Sequence, residues 1–300
     1  MLFNVCALYI KIMNNENQTI HKSDDNLTIY GWNEKLNQLK QESIYSTLAH
    51  GRVSIVHRTC YEVISGNGLF QCELTGNMMY GKSDDELPCT GDWVIFQPFD
   101  EHKGIIVDRL PRERTLYRKK SGTVADKQAI ASYVDKAFIV QSLDDNFNVR
   151  RVERFMVQIM EENISSVLVL NKADLDFDRQ SVEEQIKHIS SQIPVFFTSI
   201  HQLETIVRLR KSISEGETVV FVGSSGVGKS SLVNALCEKP VLLTSDISLS
   251  TGKGRHTSTR REMVLMDSSG VLIDTPGVRE FGLAIDNPDS LAEAFEISDY

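Results

Sequence analysis

The sequence predicts a chain of two parts, a small all-β barrel followed by an α/β domain built on a mostly parallel sheet. Three observations support this fold class. Short β-prone runs separated by turn residues fill residues 51–110. From residue 137 onward, apolar strand-like runs alternate with segments of helical periodicity, which is the order of a parallel sheet covered on both faces. A glycine-rich loop at 223–231 lies between one such strand and one such helix.

Composition limits the class of protein. A chain of 300 residues with 41% hydrophobic and 24% charged residues is typical of a globular protein of about two domains. The net charge of −9 means that any RNA contact must come from a local patch rather than a global positive field. The five cysteines are widely spread without a C-x-x-C pair, which disfavours a disulfide framework and a cysteine zinc site. Residues 1–10 are apolar but too few to span a bilayer, so we expect no targeting or membrane segment and a cytoplasmic protein.

The N-terminal part is predicted to hold a tail, a short helix and a barrel. We assign residues 1–45 to a polar tail and a helix that carries Trp32, Leu36 and Leu39 on one side. Residues 46–110 are assigned to an OB-fold barrel, because five short strands in about sixty residues fit a small closed barrel. The predicted strands are 52–58, 61–64, 69–75, 92–97 and 104–110.

A basic segment follows the barrel. Residues 111–122 are predicted to be a linker at the start of an α/β domain that spans 111–285. Two interpretations are about equally supported, a solvated connector and a contact to RNA phosphates. On the barrel itself, solvated surface is at least as good an interpretation as RNA contact for each candidate side chain. The candidate RNA-binding residues are Arg58, Tyr61, Arg112, Arg114, Arg118, Lys119 and Lys120.

The glycine-rich loop predicts a phosphate-binding site. An apolar strand at 219–222, then the pattern Gly-x-x-x-x-Gly-Lys-Ser, then a helix is the order that a P-loop requires. Glycines let backbone N–H groups turn toward an anion, and the helix N-terminus adds its unpaired N–H groups. Lys229 would reach the β- and γ-phosphates, and the Ser230 hydroxyl would ligate Mg²⁺. The predicted nucleotide-binding residues here are Gly223, Ser224, Ser225, Gly226, Val227, Gly228, Lys229, Ser230 and Ser231.

A second motif predicts that the base is guanine. The sequence Asn-Lys-Ala-Asp at 171–174 directly follows a predicted strand, where open α/β sheets bind their ligands. Asp174 would accept hydrogen bonds from N1–H and the exocyclic amine of guanine, which adenine does not present. Asn171 would bond the base and the adjacent loop, while the stem of Lys172 covers the ring. The next strand ends in Thr198 and Ser199, whose backbone is placed to contact the base carbonyl.

Two further segments complete the predicted site. Asp274 follows an apolar strand and would hold Mg²⁺ through water, and the N–H of Gly277 would meet the γ-phosphate. Thr257 is the predicted second threonine or serine ligand of the metal. Val278 stands where Ras-like enzymes carry a water-orienting glutamine, so His256 is the candidate for that role beside Lys229. A structural or solvent-exposed histidine is the alternative.

The motif order is permuted, since the base-reading motif lies upstream of the P-loop rather than downstream. The same site then requires a circularly permuted domain. With this order, the chain resembles the ribosome small-subunit-dependent GTPase A (RsgA) family of permuted GTPases. The resemblance rests on the permuted order, Gly91-Asp92-Trp93-Val94, Asn148-Val149-Arg150-Arg151-Val152-Glu153-Arg154 and Gly254-Arg255-His256-Thr257.

The resemblance implies an OB-fold barrel, a permuted GTPase domain and a C-terminal zinc domain, whose helical start would be residues 286–300. It implies hydrolysis of GTP to GDP, stimulated by the small ribosomal subunit late in that subunit's maturation. The implied partners are the small subunit and its rRNA, the implied cofactor is Mg²⁺, and we expect a monomer. The family's zinc ligands are absent from this sequence, which puts zinc binding in doubt.

Two alternatives remain open. One is a permuted GTPase that acts on the large subunit, against which the N-terminal barrel argues. The other is an RNA-binding protein that uses GTP as a switch ligand with negligible hydrolysis. The missing glutamine favours this second alternative, and the complete set of phosphate and Mg²⁺ groups disfavours it.

Overall fold

The computed structural model describes residues 25–79, 83, 85–119, 127–238, 262–267 and 270–274. It begins with two helices, α1 (Asp25–Thr28) and α2 (Glu34–Glu42). The N-cap residue Asn33 starts α2, because its side-chain oxygen accepts the backbone N–H of Leu36 at 3.1 Å. Leu36 of α2 is buried, and Trp32, predicted to lie on this helix, is buried just before its N-cap.

The barrel is closed, which confirms the predicted architecture. Neighbouring strands pair in the order β1-β2-β3-β5-β4, and β4 pairs back with β1. All of these pairs are antiparallel except β3 with β5, which is parallel. A small apolar core that includes Val53, Val63 and Phe96 fills the interior. The elements are β1 (Ala49–Val56), β2 (Tyr61–Ser65), β3 (Gly68–Leu74), α3 (Gly76–Met79), β4 (Trp93–Asp100) and β5 (Lys103–Arg109).

The second part alternates strands and helices as predicted, after a short hairpin of two strands. One predicted helix is broken: Ile186 is both the C-cap of α5 and the N-cap of α6. The elements are β6 (Leu116–Lys119), β7 (Lys127–Ala131), β8 (Lys136–Ser142), α4 (Val149–Glu161), β9 (Ser165–Asn171), α5 (Arg179–Gln185), α6 (Lys187–Ser190), β10 (Val195–Thr198), α7 (Leu203–Lys211), β11 (Thr218–Val222), α8 (Lys229–Leu236), β12 (Glu262–Leu265) and β13 (Val271–Asp274).

The sheet of this part runs β10-β9-β8-β11-β13-β12. Its strands are parallel except for β12, which is antiparallel to β13 and joins the barrel through β1. Helices cover both faces: Ile139 packs in the cluster of α4, and Phe138 packs in the cluster of α7 and α8. Burial on both sides explains why β8, β9 and β11 are nearly continuous apolar runs rather than alternating ones.

The described part of the basic segment, residues 111–119, is not a solvated linker, which corrects that expectation for these residues. Residues Leu116–Lys119 form β6, which pairs antiparallel with β7. Leu116 is fully buried in the same core as helix α4, and the carbonyl of Tyr117 accepts the Gln158 amide of that helix at 3.1 Å. The segment is therefore part of the α/β domain, held by contacts from residues far away in the sequence.

The cysteines in the described part of the chain are free thiols: Cys60, Cys72, Cys89 and Cys237. Burial raises the pKa of Cys72 and of Cys89 to about 12, so both stay protonated near neutral pH. None of the described helices is both long and apolar enough to cross a membrane.

Candidate nucleotide-binding site

The predicted motifs lie at one edge of the sheet. Strands β8, β9, β10, β11 and β13 are parallel, so their carboxyl ends meet there. The glycine-rich loop leaves β11, the Asn-Lys-Ala-Asp motif leaves β9, and Ser199 follows β10. This edge is where open α/β sheets bind ligands, which makes it the candidate site.

The glycine-rich loop has the backbone geometry of an anion nest. Gly223, Gly226 and Gly228 have φ angles of 146°, 81° and 93°, which residues other than glycine rarely adopt. Helix α8 begins at Lys229 directly after the loop, so its first N–H groups face the same space. The Lys229 ammonium donates to the carbonyls of Gly223 and Ser224, each at 2.7 Å. The lysine therefore already spans the loop in which phosphates would bind.

Asn171 joins the two motifs. Its Nδ2 donates to the Val227 carbonyl of the glycine-rich loop at 2.9 Å, which is the predicted bond to the adjacent loop. Thr198 Oγ1 donates to Asn171 Oδ1 at 3.3 Å, which adds the end of β10 to the connection. Asn171 is only 3% exposed, so these bonds are shielded from water. The Asn-Lys-Ala-Asp motif and the glycine-rich loop are thus fixed relative to each other.

We expect Gly228→Ala to weaken GDP binding by at least about tenfold. A Cβ at residue 228 would lie 2.3 Å from Asn171 Nδ2, so it would break the bond between the two motifs. A left-handed φ adds a strain of roughly 1–2 kcal/mol. Fluorescent-GDP titration and urea denaturation measure the two effects. Gly68→Ala is the matched control, since its φ is 114° but nothing lies within 4 Å of the added Cβ. GDP binding by Gly228→Ala at the wild-type level would contradict this account.

Lys172 is held by Asp144, which sequence reasoning missed. Lys172 Nζ lies 2.7 Å from Asp144 Oδ2, and the backbone of Lys172 has a left-handed φ of 62°. Burial acts to raise the pKa of Asp144, but hydrogen bonds from Lys172, Ser142 and the Asn146 N–H outweigh it and lower the pKa to about 2. Asp144 is therefore ionised at neutral pH and anchors the Lys172 stem. Its place just beyond β8 was the available sequence signal.

Asp174 presents an exposed carboxylate beside the end of β10. A hydrogen bond from Ser199 lowers its pKa, against a smaller opposing effect of burial, so it is ionised and able to accept hydrogen bonds. The Ala173 N–H donates to the Thr198 carbonyl at 3.0 Å, and Thr205 Oγ1 accepts the Ser199 N–H at 3.0 Å. Loops from two strands thus form one edge with an acceptor directed outward.

Ser230 and Asp274 are the predicted metal residues that the structure describes. Pairing of β13 with β11 places Asp274 at the edge where the glycine-rich loop begins, and Ser230 lies in the first turn of α8. A hydroxyl and a carboxylate are hard oxygen donors of the kind that suits Mg²⁺, which takes most of its ligands from water and phosphate. Among the described residues no group of three or more His, Cys, Asp and Glu side chains could hold a metal ion. The predicted residues His256, Thr257 and Gly277 lie outside the described residues.

Two of the candidate RNA contacts are inside the fold, which corrects those expectations. Tyr61 is 8% exposed and packs in the barrel core. The Arg112 guanidinium is bonded to the buried carboxylate of Asp92 at 2.6 Å. A strand alternates its side chains between two faces, and the sequence alone did not settle which face of β2 carries Tyr61.

The other RNA candidates are less buried. Arg58 is exposed, Arg114 is half-buried and pairs with Asp135 at 2.9 Å, and Arg118 bonds Gln128 at 2.9 Å. Lys119 ends β6, but its side chain is outside the described part, as is all of Lys120. Among the described candidates, Arg58 is therefore the one with an exposed side chain.

Known proteins with similar sequences belong to one family of GTPases. A model of the RsgA GTPase family matches residues 109–284. A curated relative from Bacteroides thetaiotaomicron, named small ribosomal subunit biogenesis GTPase RsgA 1, is 73% identical over 96% of this chain and 79% of its own length. The protein from Methanosarcina acetivorans named small ribosomal subunit biogenesis GTPase RsgA is 37% identical over 94% of this chain and 77% of its own length.

Solved structures share the fold. YjeQ from Thermotoga maritima superposes with a TM-score of 0.63 at 24% identity, covering 83% of this chain and 81% of its own. YloQ, described as a circularly permuted GTPase, has a TM-score of 0.59 at 20% identity, covering 85% of this chain and 80% of its own. The fold, the permuted motif order, the family match and the relatives agree, and the chain belongs to the RsgA GTPase family.

Proposed function

We propose that this protein hydrolyses GTP to GDP and phosphate and acts in biogenesis of the small ribosomal subunit. The observation that carries the proposal is the Asn171–Val227 hydrogen bond, which joins a guanine-type motif to a phosphate-binding loop. Relatives named small ribosomal subunit biogenesis GTPases, at 73% and 37% identity, support the ribosomal role.

The predicted site residues have separate roles in binding and hydrolysis. Backbone N–H groups of residues 223–228 and of the first turn of α8 bind the phosphates, and Lys229 turns from the loop carbonyls to the phosphate oxygens. Asp174 accepts the two guanine hydrogen bonds. Ser230 would ligate Mg²⁺ directly and Asp274 would hold it through water, and the ion would supply neutralisation of charge on the phosphates. His256 is the proposed residue that orients the attacking water.

Phosphate release with and without isolated small subunits tests the function. We expect small subunits to accelerate release at least about tenfold, because GTPases with weak intrinsic activity depend on a partner to complete the site. Isolated large subunits are the control for the large-subunit alternative. No acceleration by small subunits would overturn the ribosomal role, and no release under any condition would favour a switch that binds GTP without hydrolysis. Unchanged stimulated turnover in His256→Ala would remove that residue from the mechanism.

The base preference has its own test. We expect ATP to displace labelled GDP at least about a hundredfold less well than GTP does, since Asp174 would face the N1 acceptor of adenine rather than two donors. Equal displacement by ATP would refute the assignment of Asp174.

Location, oligomeric state and RNA contact are further parts of the proposed function. We place the protein in the cytoplasm as a monomer that contacts rRNA, with Arg58, Arg114 and Arg118 as the remaining described candidates for phosphate contact. The salt dependence of small-subunit binding by alanine variants of these arginines is the corresponding measurement. Lower salt dependence in a variant supports a phosphate contact at that residue, and an unchanged slope removes it.

A further inference from the structure

Helix α4 directs an arginine at the glycine-rich loop. Arg151 Nη1 donates to Ser224 Oγ at 2.8 Å and to the Asn146 carbonyl at 3.3 Å. The N-cap residue Asn148 accepts the backbone N–H of Arg151 at 3.1 Å, which fixes the first turn that carries the side chain. Arg151 lies in the Asn148–Arg154 stretch that the sequence singled out, yet none of the nucleotide-binding roles above uses it.

Among the described residues, no carboxylate balances the guanidinium of Arg151. Its neighbour Arg150 is 81% exposed and pairs with Glu153 at 3.5 Å, as a surface arginine commonly does. Arg151 is half-buried and forms no ion pair with any carboxylate of the described residues. A permanent positive charge therefore lies beside the loop that receives the phosphates.

Ser224 is held from two sides. Its hydroxyl accepts Arg151, and its carbonyl accepts Lys229 Nζ at 2.7 Å. When Lys229 turns to the phosphates, the hold on the carbonyl is lost. The hydrogen bond from Arg151 would still hold this part of the loop, because it comes from a different element, α4.

We propose that Arg151 is a positioning residue that holds the glycine-rich loop through Ser224, and that its charge favours binding of GTP over binding of GDP. A γ-phosphate would add negative charge to a ligand of the loop that Arg151 contacts through Ser224, so the electrostatic gain would be larger for the triphosphate. This proposal rests on the proposed function of the site as a GTP-binding site and adds to it the residue that distinguishes the two nucleotides.

The test compares Arg151→Gln, Arg151→Lys and Ser224→Ala, with Arg150→Gln as the matched control. Affinities for GDP and for a non-hydrolysable GTP analogue are measured together with the thermal midpoint. We expect Arg151→Gln to lower the affinity for the GTP analogue about fivefold more than that for GDP, with an unchanged midpoint. Arg151→Lys restores most of the ratio because it keeps the charge, and Arg150→Gln leaves the ratio unchanged.

The hold through Ser224 is tested by subunit-stimulated turnover. Ser224→Ala and Arg151→Gln each lower turnover several-fold, and the double variant is no slower than the slower single variant, because both changes remove the same bond. Three results would each overturn the proposal. The first is that Arg151→Gln lowers the affinities for both nucleotides equally and also lowers the thermal midpoint. The others are that Arg151→Lys fails to restore the affinity ratio, or that the losses of turnover add in the double variant. If the wild-type protein bound neither nucleotide, the proposed function itself would fail, which is a different result.

Discussion

Replacing Asp92 with alanine is expected to lower the free energy of unfolding by about 3–5 kcal/mol, the cost of leaving a buried partner charge unpaired. Asp92 is completely buried and accepts Arg112 at 2.6 Å, Ser132 Oγ at 2.6 Å and the Cys89 N–H at 2.7 Å. Cys89 lies on the barrel side, Arg112 lies in the segment before β6, and Ser132 directly follows β7. Loss of the carboxylate would thus release the connection between the barrel and the α/β domain. Urea denaturation is the measurement.

The controls separate burial from charge pairing. Asp100→Ala removes an exposed pair, in which Asp100 lies 3.8 Å from Lys103, and is expected to cost less than about 1 kcal/mol. The double variant of Asp92 and Arg112 is expected to cost clearly less than the sum of the two single variants, because it removes the Arg112 guanidinium together with the carboxylate that it binds. A cost below about 1 kcal/mol for Asp92→Ala would show that the pair does not join the two parts.

Replacing Lys229 with alanine is expected to slow GTP turnover about 10²–10³-fold, the range for removing one donor that stabilises charge developing in the transition state. The carbonyls of Gly223 and Ser224 hold this ammonium at 2.7 Å each, so it is positioned inside the loop before any phosphate binds. Stimulated phosphate release under single-turnover conditions is the measurement.

Lys211→Ala is the control for Lys229→Ala, because Lys211 is an exposed cation at the end of α7 and its loss changes the net charge equally. We expect its turnover to stay within about twofold of the wild type, as is common for surface substitutions. Turnover of Lys229→Ala above about a tenth of the wild-type rate would contradict the assigned role.

Local sequence patterns alone determined much of the fold. Five short strands predicted the barrel, and alternating apolar runs predicted the parallel sheet, because strand and helix periodicity are properties of neighbouring residues. The spacing Gly223-x-x-x-x-Gly228-Lys229 and the motif at 171–174 predicted the nucleotide site for the same reason, since each lies in one continuous stretch. Their order also predicted the permuted domain.

Tertiary structure alone decided which distant residues meet. The basic segment became β6 since β7 and helix α4 offered its backbone and Leu116 partners, and Arg112 turned inward because Asp92 was buried beneath it. Asp144 meets Lys172 and Arg151 meets Ser224 across 28 and 73 residues of sequence. Such pairs follow no local period, because packing of whole elements brings them together. The sequence by itself thus determined the nucleotide class, and only the packed sheet decided which side chains hold its loops in place.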